Sequence, residues 1–246
     1  MATSTRGFVD GMANRANPAF AAGVLAVPLF ALVYGVTVGS LHHLNYVHVM
    51  AGVMWTGVDL FMGLVLGPVI GGLAVKQRAQ VFQRLTPKTT FLMPSLAFVT
   101  IFGGVTLAQR LGKFPHADPW IALMSTAISV PVVLLIAAQF DALTDRRTLT
   151  IFGVVAVGHA AWLVQTLPEF AMTSHAIAAA LGIVTLLSVL GFGVLLPGEI
   201  RMYLQMTSEN PDEEVISEIG MRNAKLAGVQ GVLQLAIIFV MVYVRF

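Results

Sequence analysis

The stretch "HVMAGVMWTGVDLFMGLVLGP", His48 to Pro68, decides how the chain is read. Apart from His48 and Asp59 it is apolar or small, and its length is that of a membrane span. A span with a histidine near one end and a carboxylate near its middle must keep both away from lipid. The same residues therefore point to a fold class and to a place where function is to be sought.

Composition carries this reading to the whole chain. Of 246 residues, 57% are hydrophobic and 11% charged, with a mean hydropathy of +0.83. These values indicate a single integral membrane domain over residues 1–246 rather than a soluble one. Cysteine is absent, which excludes disulfides, thiolate metal sites and covalent c-type haem attachment. A metal is left with histidine, methionine or carboxylate ligands. The polar N-terminus "MATSTRGFVDGMANRANPAF" precedes an apolar run too long for a signal-peptide core, so a retained first span is expected. Nothing in the charge pattern points to a nucleic-acid partner.

A span needs about 20 apolar residues. Seven segments qualify, at 18–40, 44–74, 89–110, 119–140, 148–166, 174–203 and 222–245. The expected fold class is thus all-α, a polytopic bundle of seven transmembrane helices. Of the fourteen basic residues, all but Arg110, Lys113 and Arg245 fall on the side that holds the N-terminus and the 75–88, 141–147 and 204–221 loops. By the positive-inside rule the N-terminus is cytoplasmic and the C-terminus outside, in the inner (plasma) membrane. In the acidic loop "SENPDEEVISEIG", Asn-Pro followed by Asp-Glu-Glu resembles the start of a short amphipathic helix. "LGPVIGG" at the end of the second span and "LLPGEIR" at the end of the sixth form a weak internal echo, each leading through a charged loop into another span.

In this orientation all six histidines fall in the outer half. His42, His43 and His116 suit the wet interface, as Trp120 and Trp162 suit the aromatic belt. His48 differs, because Gly52, Trp55 and Asp59 lie within about 40° of it on an ideal helix, forming one stripe that must face protein. A carboxylate near the bilayer centre costs at least ~2.5 kcal/mol on insertion scales and points into the bundle. Gln230 and Gln234 of the last span offer partners, and an Asp59–Gln234 hydrogen bond is expected. Gly52, one turn from His48, would give a porphyrin a side-chain-free patch beside an axial histidine. His175 is followed by Ala179 and Gly182 in the same way, and His159 is flanked by Gly158 and Ala160. His48 with either His159 or His175 would then supply the axial nitrogens of a b-type haem.

His48, six residues, Trp55, one residue, Gly57, then Pro68 eleven residues on is a pattern that resembles the first core helix of a loose bacterial membrane superfamily. That superfamily contains the copper-resistance D family, the membrane N-terminal region of urate oxidase-like proteins and several uncharacterised integral membrane families. The resemblance covers the second and third spans and the basic loop between them. Membrane protoporphyrinogen oxidase has a similar helix whose equivalent histidine is thought to bind haem. Its helix continues Trp-x-Ala-Gly with an arginine near the end, whereas Trp55-Thr56-Gly57 and Pro68 here argue against that enzyme. The resemblance implies a haem-b or metal-linked membrane bundle.

The leading functional expectation is a cytochrome-b-like, haem-binding membrane protein, an oxidoreductase or electron-transfer subunit working with quinone or another redox subunit. His48 would be a ligand and Trp55 would pack on the ring. Asp59 and Arg110 would bond propionates or quinone. A copper or small-solute transporter using outer histidines with Met50 and Met54 is the alternative from another class. A non-catalytic subunit of a larger complex or oligomer is a third. Lys225 lies too shallow for the mid-membrane Schiff base of a rhodopsin.

Overall fold

The computed structural model describes residues 5–245. The side chains of Arg6 and Arg245, both counted in the charge asymmetry, lie outside the described residues. Ten α-helices are present among them: α1 (Thr5–Ala16), α2 (Pro18–Thr37), α3 (Leu41–Leu60), α4 (Gly67–Gly71), α5 (Val75–Arg110), α6 (Ala117–Gln139), α7 (Arg146–Thr166), α8 (His175–Leu190), α9 (Leu196–Met206) and α10 (Glu213–Arg245). α3 continues into α4, and α8 into α9, through π-helical turns at Phe61–Leu66 and Gly191–Leu195. Counting these joined pairs as one helix each, seven helices are long and apolar enough to cross a membrane.

The seven expected spans are thus all helical, but their ends differ. The 75–88 segment, expected as a loop, is the first part of the 36-residue α5. Its basic residues sit among helix formers, and charge alone marks exposure rather than a break. The acidic segment after Asn210-Pro211 opens the 33-residue α10 rather than a short separate helix. Asp212 caps it, its Oδ1 accepting from Glu214 N at 2.9 Å and Val215 N at 3.1 Å, and Glu213 and Glu214 favour the helix N-terminus. α2 begins where Asn17, in the left-handed region at φ 79°, accepts from Ala19 N at 3.0 Å and lets Pro18 take the first helical position.

The described residues gather into two compact units, the first formed by residues up to Leu107 with Gly198–Gly231, the second by Ala108–Pro197 with the last part of α10. In the first unit α2 and α3 approach closely, a methyl at Gly35 standing 3.3 Å from Leu44 Cα. A core at one end joins Ile70, Ala79 and Phe82 of the α4–α5 corner to Met202, Met206, Ile216 and Ile219 of the α9–α10 corner. The Phe82 ring lies against Gly220, where a side chain would collide with it. Of the two echo stretches, "LGPVIGG" supplies Ile70 to this core, and the residues after "LLPGEIR" supply Met202 and Met206. α1 packs on α9 through Gly11 against the Tyr203 hydroxyl and Phe8 edge-on to the Tyr203 ring at 4.8 Å.

In the second unit α6 packs on α7, on α8 and on the π-turn after α8. Among the described residues each π-turn ends two residues before a proline, Pro68 or Pro197. Proline has no N–H and its ring crowds the carbonyl four residues back, and an extra residue in the turn shifts that carbonyl aside. Gly193 is four residues before Pro197. Its carbonyl accepts from Gln139 Nε2 at 2.9 Å, and that of Val194 from the same group at 3.3 Å. Gln139→Leu is expected to leave these acceptors unmet and to cost about 1–3 kcal/mol. In a Pro197→Ala background, where a backbone N–H returns, thermal unfolding in detergent should show a smaller loss. Equal losses in both backgrounds would contradict this account.

Candidate functional site

The stripe expected on the second span is the inward face of α3. Trp55 and Asp59 are 5% and 2% exposed, and Leu44, Ala51 and Thr56 are buried beside them. His48 and Gly52 continue the face toward the start of the helix and are partly buried. In contrast, Met50 and Met54 are exposed, at 41% and 49%, on the other side.

His48 meets α5. Its Nδ1 lies 2.8 Å from the carbonyl oxygen of Thr100. A carbonyl only accepts, so Nδ1 carries the hydrogen and donates it. In the neutral imidazole this leaves Nε2 with its lone pair free of a proton, the form that binds a metal. Gly103 and Gly104, one helical turn beyond Thr100, make room for the ring. A methyl at Gly104 would stand 2.7 Å from His48 Cε1 and 3.1 Å from Nδ1, and one at Gly103 would stand 3.4 Å from His48 Cβ and 3.5 Å from Leu32 Cδ1 of α2. Gly104→Ala is expected to push the imidazole off the Thr100 carbonyl and to destabilise the protein by about 1–3 kcal/mol. Gly153→Ala, which meets nothing within 4 Å, should be neutral in the same unfolding measurement.

Gly52 has a different neighbour from the one expected. A methyl there would stand 3.3 Å from Thr100 Cγ2, so the bare side of Gly52 is used in packing α3 on α5. Thr100 is turned this way because its hydroxyl donates to Leu96 O at 2.7 Å. Thr56 likewise donates to Gly52 O at 2.8 Å. Gln230, in the first unit with Asp59, is 2% exposed, and Gln234, in the second unit, is equally buried.

His159, His175 and Arg110 belong to the second unit. His159 Nδ1 is 3.3 Å from Thr126 Oγ1, whose own hydrogen goes to Ala122 O at 2.7 Å, so the histidine is the donor here too. His175 is exposed at the first residue of α8. The preceding residue, Ser174, caps that helix, its Oγ accepting from Ile177 N at 3.2 Å. Arg110 is exposed in the last turn of α5, where a cation offsets the partial negative charge of the helix end. Trp120 donates to Ala171 O at 2.9 Å. His43 turns out to be a cap: its Nδ1 accepts from Ser40 N at 3.2 Å at the start of α3. Among the described residues no three histidines, aspartates or glutamates come together as a metal site.

Thr100, Gly103 and Gly104 were not singled out from sequence. The signal for the glycines is the pair "GG" in the middle of an apolar span, where two adjacent side chains are missing from one helix. A second polar cluster, Glu199 with Thr89 and Thr90, also went unnoticed, although a carboxylate at the end of an apolar stretch is itself a signal. Comparison of the chain with protein-family models, with curated proteins and with solved structures yields no match.

Proposed function

We propose that the protein is a b-type haem-binding protein of the inner membrane that transfers electrons as a cytochrome-b-like subunit, with His48 Nε2 as an axial ligand. The observation that carries this reading is the hydrogen bond from His48 Nδ1 to Thr100 O. It fixes the tautomer that a ligand needs, and the Gly103–Gly104 notch holds the ring in place against α5. A tie between two helices needs only the Nδ1–H bond; the ligand reading uses the second ring nitrogen as well. Here the bond is made by the nitrogen nearer the backbone, and the outer nitrogen is left over.

Bound haem would supply one-electron chemistry that no side chain of this cysteine-free chain provides. The chain's own part is to orient the imidazole through Thr100 and to set Trp55 and Asp59 on the same buried face. The N-terminus is taken as cytoplasmic and the C-terminus as external, which places His48 toward the outer face. Quinone or another redox subunit would exchange the electrons.

The reading is tested by extracting protein purified in mild detergent from haem-replete cells with acidified acetone and assaying the extract for haem b. Haem b in proportion to protein is expected. Its absence from such cells would remove the reading.

A further inference from the structure

Glu199 lies in the first turn of α9, just after Pro197 and Gly198, and meets α5. Oε1 is 2.7 Å from Thr89 Oγ1, and Oε2 is 2.8 Å from Thr90 Oγ1. Both hydroxyls also reach the carbonyl oxygen of Thr86, at 3.1 Å and 2.8 Å. Two hydroxyl hydrogens thus have three acceptor oxygens within range, Thr86 O being shared. All these residues belong to the first unit.

We propose that Glu199, with the hydroxyls of Thr89 and Thr90, is a site that takes up and releases one proton. Both charge states are satisfied by the same heavy-atom positions. As a carboxylate, Glu199 accepts one hydrogen from each threonine. When water delivers a proton, the O–H bond forms at Oε2, this new donor bonds Thr90 Oγ1, and the hydrogen of Thr90 turns to Thr86 O. Release reverses the rotation and returns the proton to water. Only hydroxyl hydrogens move, so neither state leaves a buried polar group unpaired.

A metal cation suits the cluster less well. An ion bound at about 2.4 Å from each oxygen would need the oxygens to stand apart around it, and here they are in direct hydrogen-bond contact. Charged residues occur on each of the neighbouring helices. Arg201 follows two residues along α9. Arg222 of α10 brings Nη2 to 2.9 Å from where a methyl on Gly198 would stand, with Asn223 at the same distance. Arg84 and Lys88 precede the threonines on α5 and are exposed, Lys88 Nζ donating to Arg84 O at 3.3 Å. α1 meets α9 through Phe8 and Gly11 on Tyr203. Glu218, four residues before Arg222 on α10, interacts with that guanidinium, and Glu199 is the carboxyl bonded to the two threonines.

The test is infrared difference spectroscopy of the full-length protein in detergent, stepping from about pH 4 to about pH 9, the span over which glutamates from exposed to buried titrate. A protonated-carboxyl C=O band is expected to disappear reversibly as pH rises in the wild type and to be missing in Glu199→Gln. Thr90→Val keeps Glu199 and most of the volume. It is expected to shift that band to higher wavenumber, since the carboxyl loses its partner, and this variant carries the test should Glu199→Gln fail to fold. A wild-type difference spectrum without a band sensitive to either substitution would overturn the proposal, leaving Glu199 as a fixed tie between α5 and α9. The readout does not depend on haem, so its outcome is separate from that of the haem assay.

Discussion

His48→Ala is expected to abolish the haem absorption of the purified protein while leaving the helical bundle folded. The two halves of this expectation have different causes. Loss of the imidazole removes Nε2, the only ring nitrogen left over after Nδ1 has been committed to Thr100 O at 2.8 Å. No neighbouring donor on α3 can replace it, because the next inward residues are Ala51, Gly52 and Trp55. The structural cost is far smaller. One hydrogen bond between membrane helices is worth about 0.5–2 kcal/mol, and alanine leaves the Gly103–Gly104 notch empty rather than blocked. Circular dichroism should therefore be unchanged. His42→Ala, on the exposed side of the same helix, is the matched control and should retain the spectrum. Full haem occupancy in His48→Ala would show that the ligand lies elsewhere.

The largest effect on folding is expected at Gly63. This residue sits in the π-helical turn after α3, and a side chain there would fall on the Cα and N of Gly228 in α10, with Ala224 O at 3.3 Å. The obstacle is backbone, which cannot rotate away as a side chain would. One turn on, Gly231 shows the same crowding, since a methyl there would stand 2.7 Å from Leu60 Cδ2 and 3.0 Å from Leu60 N. α3 and α10 thus touch along two bare patches, the kind of contact that dispersion alone makes favourable in lipid. Gly63→Leu has to separate the helices along this seam. A loss of at least about 3 kcal/mol is expected, at the upper end of overpacking costs, or failure to accumulate in the membrane. Gly57→Ala is the control. Gly57 is exposed with nothing within 4 Å, and alanine there should be neutral or gain up to about 1 kcal/mol from helix propensity. A Gly63→Leu protein as resistant to heat in detergent as the wild type would show that the seam does not hold.

Hydropathy made the helical class and the seven spanning helices legible, because lipid demands an unbroken run of apolar residues and tolerates few other patterns. The inward face of α3 was legible for the same reason: four residues that lipid disfavours or leaves unfilled fell on one stripe. The ends of helices were harder to read. Lys76, Arg78, Arg84 and Lys88 carry the pattern of a loop by charge, yet continue α5, since water tolerates a charged helix as readily as a charged loop. The π-turns had a local cue in Pro68 and Pro197, but one extra residue in a turn changes no hydropathy.

The site was legible in part. His48 and Asp59 were conspicuous as polar residues in an apolar run. The surroundings of His48 were not, because Thr100, Gly103 and Gly104 lie more than 50 residues beyond it and look unremarkable in a span. Gly52 illustrates the limit most clearly. A missing side chain records that something comes close but not what it is, and here it is the methyl of Thr100. Glu199 falls inside the expected 174–203 span, but its partners Thr89 and Thr90 lie about a hundred residues earlier, at the start of another span.

The most direct test of the central claim is the reduced-minus-oxidised absorption spectrum of the detergent-purified wild-type protein. The account predicts a Soret band that shifts on reduction, with split α and β bands that appear with dithionite and vanish on reoxidation. A colourless preparation from haem-replete cells, identical before and after reduction, would contradict it.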